Sequence, residues 1–299
     1  MILPEAVRRR VEARFGAVRG ARPVGGGCIN PALRLELPDG PAFLKYNGDA
    51  PAGLFPAEAR ALAALRAAAG PELRVPEVCA AFDAGEEGAP GEPGWILMEW
   101  IEPGPRGAGF DERLGRGLAA LHRRAAEPWG WEEDNFIGPL PQANAAAPTW
   151  AEFWRDRRLE PQLRHAREAG YAGDAREWER LLAGLPDLLA AAEEDAPSLL
   201  HGDLWGGNLL ASAAGEPCLV DPAAYRGHRE VDLAMSELFG GFPPRFRAAY
   251  EEARPLLPGY REGRRAAYQL YYLLVHVVLF GGGYVARTRA ALREALAGP

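Results

Sequence analysis

Alternating apolar and charged residues near the start of the chain predict a β-hairpin. In Leu33–Leu37 leucine alternates with arginine and glutamate, the two-residue period of a strand that buries one face. Asp39 and Gly40 follow, a pair that favours a tight hairpin turn, and the run Pro41–Tyr46 then supplies the second strand. Lys45 therefore belongs to a predicted strand.

A helical pattern follows the hairpin and directs one carboxylate toward the core. Apolar stripe positions at i, i+3, i+7 and i+10 are filled by Phe55, Glu58, Leu62 and Leu65. This is the spacing of one face of an α-helix. Because a carboxylate that faces a core needs a partner, Glu58 is expected to find a cation.

Lys45 is the candidate for that cation, because it is the single lysine among 34 basic residues. The other basic positions carry arginine, so this position favours chemistry that requires a compact ammonium group. A strand lysine paired with a helix glutamate holds the α- and β-phosphates of ATP in kinases. The alternative is that Lys45 only protects a sheet edge against pairing.

The stretch LLHGDLWGGN, which begins at Leu199, has the pattern of a phosphoryl-transfer loop. Asp203 and Asn208 have the spacing at which a kinase aspartate takes the substrate hydroxyl proton and an asparagine holds magnesium. Asp221 ends the apolar run Pro217–Val220, where a strand would deliver the other metal ligand. Taken one by one, Asp203 could be a turn former and Asn208 a cap.

A run of three glycines lies upstream of the hairpin, in VGGGCINP at Val24. Glycine lets the backbone approach a ligand closely and adopt positive φ, so that amides can point at phosphate oxygens. Glycine clusters more often mark plain loops, and no Gly-Lys-Ser/Thr of a Walker A loop follows. The candidate phosphate-binding residues are Gly25, Gly26, Gly27 and Cys28.

The linear order of these features is that of a bilobal, protein-kinase-like fold: glycine loop, strand lysine, helix glutamate, the apolar run Trp95–Ile101, catalytic loop. We expect the α+β class, with a small β-rich N-lobe in residues 1–98 and a larger, mainly helical C-lobe in residues 104–299. Residues 99–103 would form the hinge. Its backbone groups would meet adenine at Glu99, Trp100 and Ile101.

Helical patterns dominate the C-lobe, and two of its segments are of special interest. The apolar run Tyr271–Phe280 is about half a membrane span and contains His276, so it predicts a buried helix. Glu127–Pro148 contains four prolines and is predicted as a long loop that either borders the substrate or is only a linker. It ends at Thr149, which begins a capping box, TWAE.

Longer motifs resemble the fructosamine-3-kinase (ketosamine-3-kinase) family, which is related to the aminoglycoside and choline phosphotransferases. HGDLW-x-GN followed by DPA-x-Y-x-GH-x-E-x-DLAM is characteristic of that family, and matching segments run nearly end to end. They include GGGCIN at Gly25, FLKYN at Phe43, VPEV at Val75, LMEWIE at Leu97, DNFIGPLPQAN at Asp134, HGDLWGGN at His201, DPAAYRGHREVDLAM at Asp221 and ELFGGFP at Glu237. The resemblance implies ATP-dependent phosphorylation of the sugar 3-hydroxyl of ketosamines. The phosphate ester would be unstable, and its breakdown would release the amine.

The resemblance also implies a role for each residue of the predicted nucleotide site. Asp203 becomes the catalytic base, and Asn208 and Asp221 become the magnesium ligands. Lys45 would contact the ATP phosphates with Glu58 as its partner.

Further residues receive roles at the acceptor and around the loop. Trp205 is expected to stack on the substrate, although it could only pack against a neighbouring helix. His276 is the second candidate substrate residue. His201 and Asp232 are expected to brace the catalytic loop, with a plain helix-start carboxylate as the alternative for Asp232.

Composition argues against several other classes of protein. A net charge of −7 and a pI near 5.4 argue against nucleic acid as a partner. Cys28, Cys79 and Cys218 form neither a metal pattern nor a disulfide framework, and the first residues lack the apolar core of a signal peptide. We expect a cytoplasmic protein without membrane attachment. It would act as a monomer or dimer on a free or protein-bound ketosamine.

Two alternatives remain open from the sequence. The chain could be a kinase of the same fold for another small alcohol, such as an aminoglycoside, choline or a thiosugar, because no motif states the shape of the acceptor pocket. It could also be a catalytically silent nucleotide-binding module. The presence of all five residues of the nucleotide site disfavours the silent module.

Overall fold

Two compact units make up the chain, and each is built from two separate segments. The computed structural model describes residues 2–25, 30–84, 92–123, 128–171 and 173–298. One unit comprises Met1–Phe110 and Gly207–Ala223, and the other comprises Asp111–Gly206 and Ala224–Pro299. The first unit holds the larger sheet and the second holds most of the helices, which confirms the predicted α+β class.

The described part of the chain contains short strands and helices of different lengths. The strands are β1 (Gly20–Pro23), β2 (Ala32–Leu37), β3 (Gly40–Asn47), β4 (Val78–Phe82), β5 (Gly94–Glu99), β6 (Asn135–Ile137), β7 (Leu140–Gln142), β8 (Ser198–Leu200), β9 (Leu209–Ala211), β10 (Pro217–Leu219) and β11 (Tyr225–Gly227). The α-helices are α1 (Glu5–Phe15), α2 (Leu54–Ala68), α3 (Phe110–His122), α4 (Trp150–Phe153), α5 (Glu160–Glu168), α6 (Ala175–Leu188), α7 (Ala190–Glu193), α8 (Glu230–Leu238), α9 (Pro244–Ala253), α10 (Arg265–Phe280) and α11 (Val285–Leu296). Helical turns of other types cover Trp154–Leu159, Gly206–Asn208, Tyr260–Arg264 and Gly282–Tyr284.

An antiparallel sheet with the strand order β1-β2-β3-β5-β4 forms the centre of the first unit. β2 and β3 make the predicted hairpin, with Ala32 opposite Lys45. One face of the sheet buries Leu35 and Leu44 in a cluster that includes Val11 of α1. Lys45 belongs to the opposite face, because side chains alternate along a strand. α2 packs against β4 and β5.

A second hairpin, β9 with β10, belongs to the first unit although it is distant in sequence. β10 forms a parallel bridge from Cys218 to Arg74. Gly107 and Gly215 approach so closely that a Cβ on Gly215 would lie 2.7 Å from the Gly107 backbone. A single boundary therefore does not describe the two units, since Gly207–Ala223 returns to the first.

α10 is the central helix of the second unit and confirms the predicted buried helix. It packs against α5, α8 and α11. Tyr268, Tyr271 and Leu274 on it are almost fully buried. Within the described residues, no helix has both the length and the apolar character needed to cross a bilayer. Thr149 caps α4 as predicted, accepting from the Glu152 amide at 3.2 Å.

The segment predicted as a long loop, Glu127–Pro148, contains a short hairpin of β6 and β7, and that part of the prediction was wrong. Buried amides hold it together: Gln142 Nε2 and Asn144 Nδ2 donate to Asn135 Oδ1 at 2.7 and 2.8 Å. The Tyr271 hydroxyl donates to Gln142 Oε1 at 2.6 Å. Polar side chains fix this segment, so no apolar period could reveal it.

Gly115 of α3 is expected to tolerate no side chain. A Cβ there would lie 2.3 Å from the carbonyl oxygen of Phe246 and 2.9 Å from the amide nitrogen of Tyr250, both in α9. Gly115→Ala should therefore lower the free energy of unfolding by about 1–3 kcal/mol, the usual cost of overpacking. Urea unfolding measures the change.

Gly184 is the matched control for this prediction. It lies inside α6, and a Cβ there would have nothing within 4 Å. Gly184→Ala should stabilise the protein by about 0.5–1 kcal/mol, because alanine is the better helix former. Equal changes in the two variants would contradict the close approach of α3 and α9.

Candidate active site

The strand lysine, the helix glutamate and one predicted metal ligand meet in the first unit. Lys45 Nζ donates to Glu58 Oε1 and to Asp221 Oδ1, each at 2.7 Å. The side chains of Lys45 and Glu58 are 8% and 10% exposed, whereas that of Asp221 is 42% exposed. The ammonium group is thus held between two carboxylates, one of which remains accessible to solvent.

Burial and charge act on this cluster in opposite directions. Burial alone would lower the pKa of Lys45, but Asp221 and Glu58 raise it, and the net pKa lies above that of an ordinary lysine. Burial raises the pKa of Glu58 against the lowering effect of Lys45. Lys45 is therefore charged at neutral pH.

Asp221 has an unusual backbone conformation just beyond β10. Its φ is 54°, the only positive φ among the non-glycine residues that the structure describes. Asn208 Nδ2 donates to the Asp221 carbonyl at 3.3 Å, and the Val220 amide donates to the Asn208 carbonyl at 3.1 Å. Such strained residues gather at functional sites. The two predicted magnesium ligands, Asn208 and Asp221, are thus neighbours.

The segment predicted as a hinge begins at the end of β5, and one of its backbone amides is already engaged within the protein. The amide of Glu99 donates to the Glu77 carbonyl at 2.8 Å. An N–H donor to adenine would therefore have to come from Trp100 or Ile101. The Trp100 ring stacks on Phe43, with centroids 6.5 Å apart, on the lysine-bearing face of the sheet. Adenine binding by these residues stays a prediction.

The glycine loop begins next to β2. The Val24 amide donates to the Ala32 carbonyl at 3.0 Å. No described atom lies within 4 Å of a Cβ built on Gly25, so packing against the described residues does not require glycine there. The remaining predicted loop residues, Gly26, Gly27 and Cys28, lie outside the described residues, and their contact with phosphate stays a prediction.

A buried carboxylate of the second unit holds the backbone of the catalytic loop. Asp232 of α8 accepts from the amides of His201 at 2.7 Å and Gly202 at 2.9 Å. His201 Nδ1 accepts from the Asp203 amide at 3.3 Å. These contacts match the bracing roles expected of His201 and Asp232, and they rule against a carboxylate that only begins a helix.

Sequence reasoning missed two side chains that support this loop. His122 Nε2 lies 3.2 Å from Asp232 Oδ2, and its Nδ1 lies 2.9 Å from the Tyr250 hydroxyl. The Tyr272 hydroxyl donates to the Gly202 carbonyl at 2.7 Å. Both His122 and Tyr272 occur in apolar helical patterns, where only their polar tips distinguish them from ordinary core residues.

Trp205, the predicted stacking residue, is half-buried in the second unit. Its amide donates to the Asp203 carbonyl at 3.1 Å. A Cβ on Gly206 would lie 3.3 Å from the backbone of Gly240 and of Gly241. The loop that follows α8 therefore packs directly against the residue after Trp205.

His276 lies in a group of rings that we call the aromatic group, made of Phe239, His276, Phe280 and Tyr284. The His276 ring centroid is 4.4 Å from that of Phe239 and 4.8 Å from that of Tyr284. Burial lowers the pKa of His276. Its Nδ1 lies 2.8 Å from the Tyr272 carbonyl, which makes Nδ1 the protonated nitrogen and Nε2 an acceptor. Because Phe239 directly precedes Gly240, the aromatic group adjoins the catalytic loop.

The fold and the site together define a kinase-like protein. The solved structure of an aminoglycoside phosphotransferase, in complex with AMP-PNP and hygromycin B, matches with a TM-score of 0.63. The match covers 97% of this chain and 98% of that one at 17% identity, a level that supports the fold alone.

Sequence similarity then shows the particular family. A family model of fructosamine kinase matches residues 5–298, and the chain therefore belongs to the fructosamine kinase family. A probable ketoamine kinase from Synechocystis is 38% identical over 281 residues, which cover 93% of this chain and 91% of the relative. A chloroplastic protein-ribulosamine 3-kinase from Arabidopsis thaliana is 38% identical over 266 residues, 87% of this chain and 78% of the relative.

A solved structure agrees with this membership. The crystal structure of a candidate fructosamine-3-kinase from Thermobifida fusca has a TM-score of 0.83 and 39% identity to this chain. The match covers 98% of this chain and 99% of that one. The resemblance that the motifs indicate is thus confirmed.

His122 predicts a pH dependence of stability. Burial is the main cause that lowers the pKa of His122 in the folded protein, so the folded state resists a proton that the unfolded state accepts near pH 6.5. Stability is then lost as the pH falls through that value. Between pH 7.5 and 5.5 the loss from His122 should reach up to about 1.4 kcal/mol.

The comparison with His122→Gln isolates this effect, because glutamine can contact both Asp232 and Tyr250 without titrating. Chemical denaturation of both proteins at the two pH values measures it, and wild type should lose more stability. Equal losses would mean that His122 binds its proton as readily in the folded protein as in the unfolded chain.

Proposed function

We propose that this chain is an ATP-dependent kinase that phosphorylates the 3-hydroxyl of ketosamines, the early products of amine glycation. One observation carries the phosphoryl-transfer part: the buried ammonium of Lys45, held 2.7 Å from both Glu58 and Asp221. Family membership supports the ketosamine acceptor. Breakdown of the phosphate ester would release the amine, so the enzyme would act in deglycation, and we expect this in the cytoplasm.

The proposed reaction needs a base, a phosphate-binding cation and a fixed loop. The acceptor hydroxyl attacks the γ-phosphorus of ATP, its proton passes to Asp203, and ADP leaves. Lys45 binds phosphate oxygens, while Glu58 keeps the ammonium in place. Asp232 holds the loop backbone through the amides of His201 and Gly202, so the base does not have to be ordered when substrate binds.

Asn208 and Asp221 fit a magnesium ion by the chemistry of their donors. An amide oxygen and a carboxylate are hard oxygen ligands, and magnesium in nucleotide sites takes one or two carboxylates plus phosphate and water. The described residues contain no group of three His, Cys, Asp or Glu side chains that could hold a metal by itself. Bound magnesium would neutralise charge on the transferred phosphoryl group.

The acceptor is proposed to bind beside Trp205 and the aromatic group. A ketosamine joins a polar sugar to a cationic amine, so its pocket requires a flat wall, hydrogen-bonding groups and a surface that attracts a cation. Trp205 supplies the wall, and Nε2 of His276 can accept from a sugar hydroxyl. Aromatic faces attract an ammonium group.

A panel of acceptors tests the assignment. ADP release is measured with fructoselysine, ribuloselysine, kanamycin and choline, and the position of the phosphate on the product is determined by NMR. We expect turnover of a ketosamine and an ester at the 3-oxygen. If the protein turned over kanamycin or choline but no ketosamine, it would be a kinase for another small alcohol. If it turned over none of the four acceptors, a catalytically silent binding module would be favoured.

Asp203→Asn should preserve nucleotide binding but lower kcat by a factor of about 10² to 10⁴, the usual contribution of general acid–base catalysis. Steady-state turnover and ADP binding measure the two effects. Asp187→Asn, an exposed position in α6, is the control for the amide substitution itself. A variant that kept more than half of the wild-type kcat would remove Asp203 from the role of base.

Trp205→Ala should raise KM for the ketosamine severalfold and leave KM for ATP nearly unchanged. The loss follows from an aromatic contact worth about 0.5–1.5 kcal/mol beyond its buried area. Trp205→Phe keeps a flat ring and should recover part of the affinity. If both KM values rose equally, the substitution would have disturbed the catalytic loop rather than an acceptor contact.

A further inference from the structure

Arg74 lies between the two parts of the first unit that are proposed to meet opposite ends of ATP. Its side chain donates through Nη2 to Glu99, the first residue of the predicted hinge. Its Nη1 lies 3.6 Å from Glu216 Oε2, next to β10. One guanidinium therefore contacts carboxylates on both parts, which a compact ammonium could not do with the same geometry.

The backbone of Arg74 makes the same connection. Its amide donates to the Pro217 carbonyl at 2.9 Å, and its carbonyl accepts from the Leu219 amide at 3.0 Å. These bonds align Arg74 with Cys218 as a parallel bridge, three residues before Asp221. The position of Asp221 along the chain is thus tied to Arg74.

Hydrogen bonds also fix Glu99, the hinge residue that Arg74 contacts. Glu99 Oε2 accepts from the Glu77 amide at 3.2 Å, and the Glu99 amide donates to the Glu77 carbonyl at 2.8 Å. Arg66 of α2, the helix of Glu58, donates to the Val75 carbonyl at 3.0 Å. The short segment Arg74–Glu77 therefore joins the hinge, the glutamate helix and the strand that leads to the predicted metal ligand.

We propose that Arg74 is a positioning residue that sets the spacing between the adenine end and the phosphate end of the nucleotide site. The inference rests on the proposed use of ATP. A nucleotide bound at both ends gains more affinity when the two half-sites are already at the right separation, because ordering them on binding costs free energy. Arg74 supplies that order without contact to the nucleotide.

The experiment compares a whole nucleotide with its two halves. Binding of ADP with magnesium, of adenosine and of magnesium pyrophosphate is measured by calorimetry for wild type, Arg74→Gln and Arg74→Lys. We expect Arg74→Gln to weaken ADP binding about threefold to tenfold, in the lower part of the range for coupled neighbouring groups. Each half should lose less than twofold, because a half does not sense the spacing. Arg74→Lys should fall between wild type and Arg74→Gln.

Arg8→Gln is the matched control. Arg8 and Arg74 are both 37% exposed, and Arg8 likewise contacts a glutamate, Glu12 in α1. The control should leave ADP binding at the wild-type value. Thermal unfolding of both variants separates a local effect on the site from general loss of stability.

A double-mutant cycle with Glu99→Gln tests whether Arg74 acts through the hinge carboxylate. Because the two residues form one contact, the double variant should bind ADP no more weakly than the weaker of the two single variants. Additive losses would overturn the inference. If Arg74→Gln weakened adenosine binding as much as ADP binding, Arg74 would serve the hinge only, and the inference would be overturned. Unchanged ADP binding in Arg74→Gln would also overturn it.

The test is independent of the acceptor. A wild-type protein that turned over no ketosamine but bound ADP would refute the proposed acceptor and leave the Arg74 comparison intact. A wild-type protein that bound no nucleotide would overturn both. If Arg74→Gln failed to fold, the Arg74→Lys and Glu99→Gln variants would still decide the outcome. The same comparison applies to them: the loss of affinity for ADP against the loss for adenosine and for magnesium pyrophosphate.

Discussion

The buried ammonium group of Lys45 is the constraint on which the first unit depends. A cation that is 8% exposed is stable only when carboxylates and hydrogen bonds replace the water it has lost. Glu58 arrives from a helix and Asp221 from a hairpin that is distant along the chain. The sheet, the helix and the hairpin must therefore be assembled together, which explains why Gly207–Ala223 belongs to the first unit.

The second unit also buries an ionisable side chain, and here the buried group is a carboxylate. Asp232 is fully buried, and its oxygens are satisfied by the amides of His201 and Gly202 and by His122. A carboxylate that accepts from backbone amides fixes the loop itself and not only a side chain. The φ of Gly202 is 80°, a conformation that glycine adopts without strain. One buried carboxylate thus fixes the backbone at His201 and Gly202.

Local periodicity explains which features could be predicted from the sequence. The periods of strand and helix assign each side chain to a face, and together with the lysine–glutamate arrangement of kinases they predicted the contact of Lys45 with Glu58. The contact of Lys45 with Asp221 joins residues 176 apart and leaves no trace in a local pattern. The β6–β7 hairpin is stabilised by buried amides such as Asn135, whose polarity indicates a loop. Arg74 was missed because one arginine among many carries no distinguishing signal.

The charge pair proposed for the nucleotide side is more deeply buried than the residues proposed for the acceptor side, and this difference affects how easily acceptor specificity can change. Lys45 and Glu58, which are proposed to serve the nucleotide side, form a buried charge pair, so loss of Lys45 would leave the Glu58 carboxylate buried without its cation and would cost stability. On the acceptor side, Trp205 and His276 are half-buried, and Phe280 is 54% exposed. Substitution there should remove the proposed contacts with the acceptor at little cost to the fold. A kinase fold of this kind can therefore change its acceptor while keeping its phosphate chemistry, so these accessible rings, and not the fold, would determine which acceptor is used.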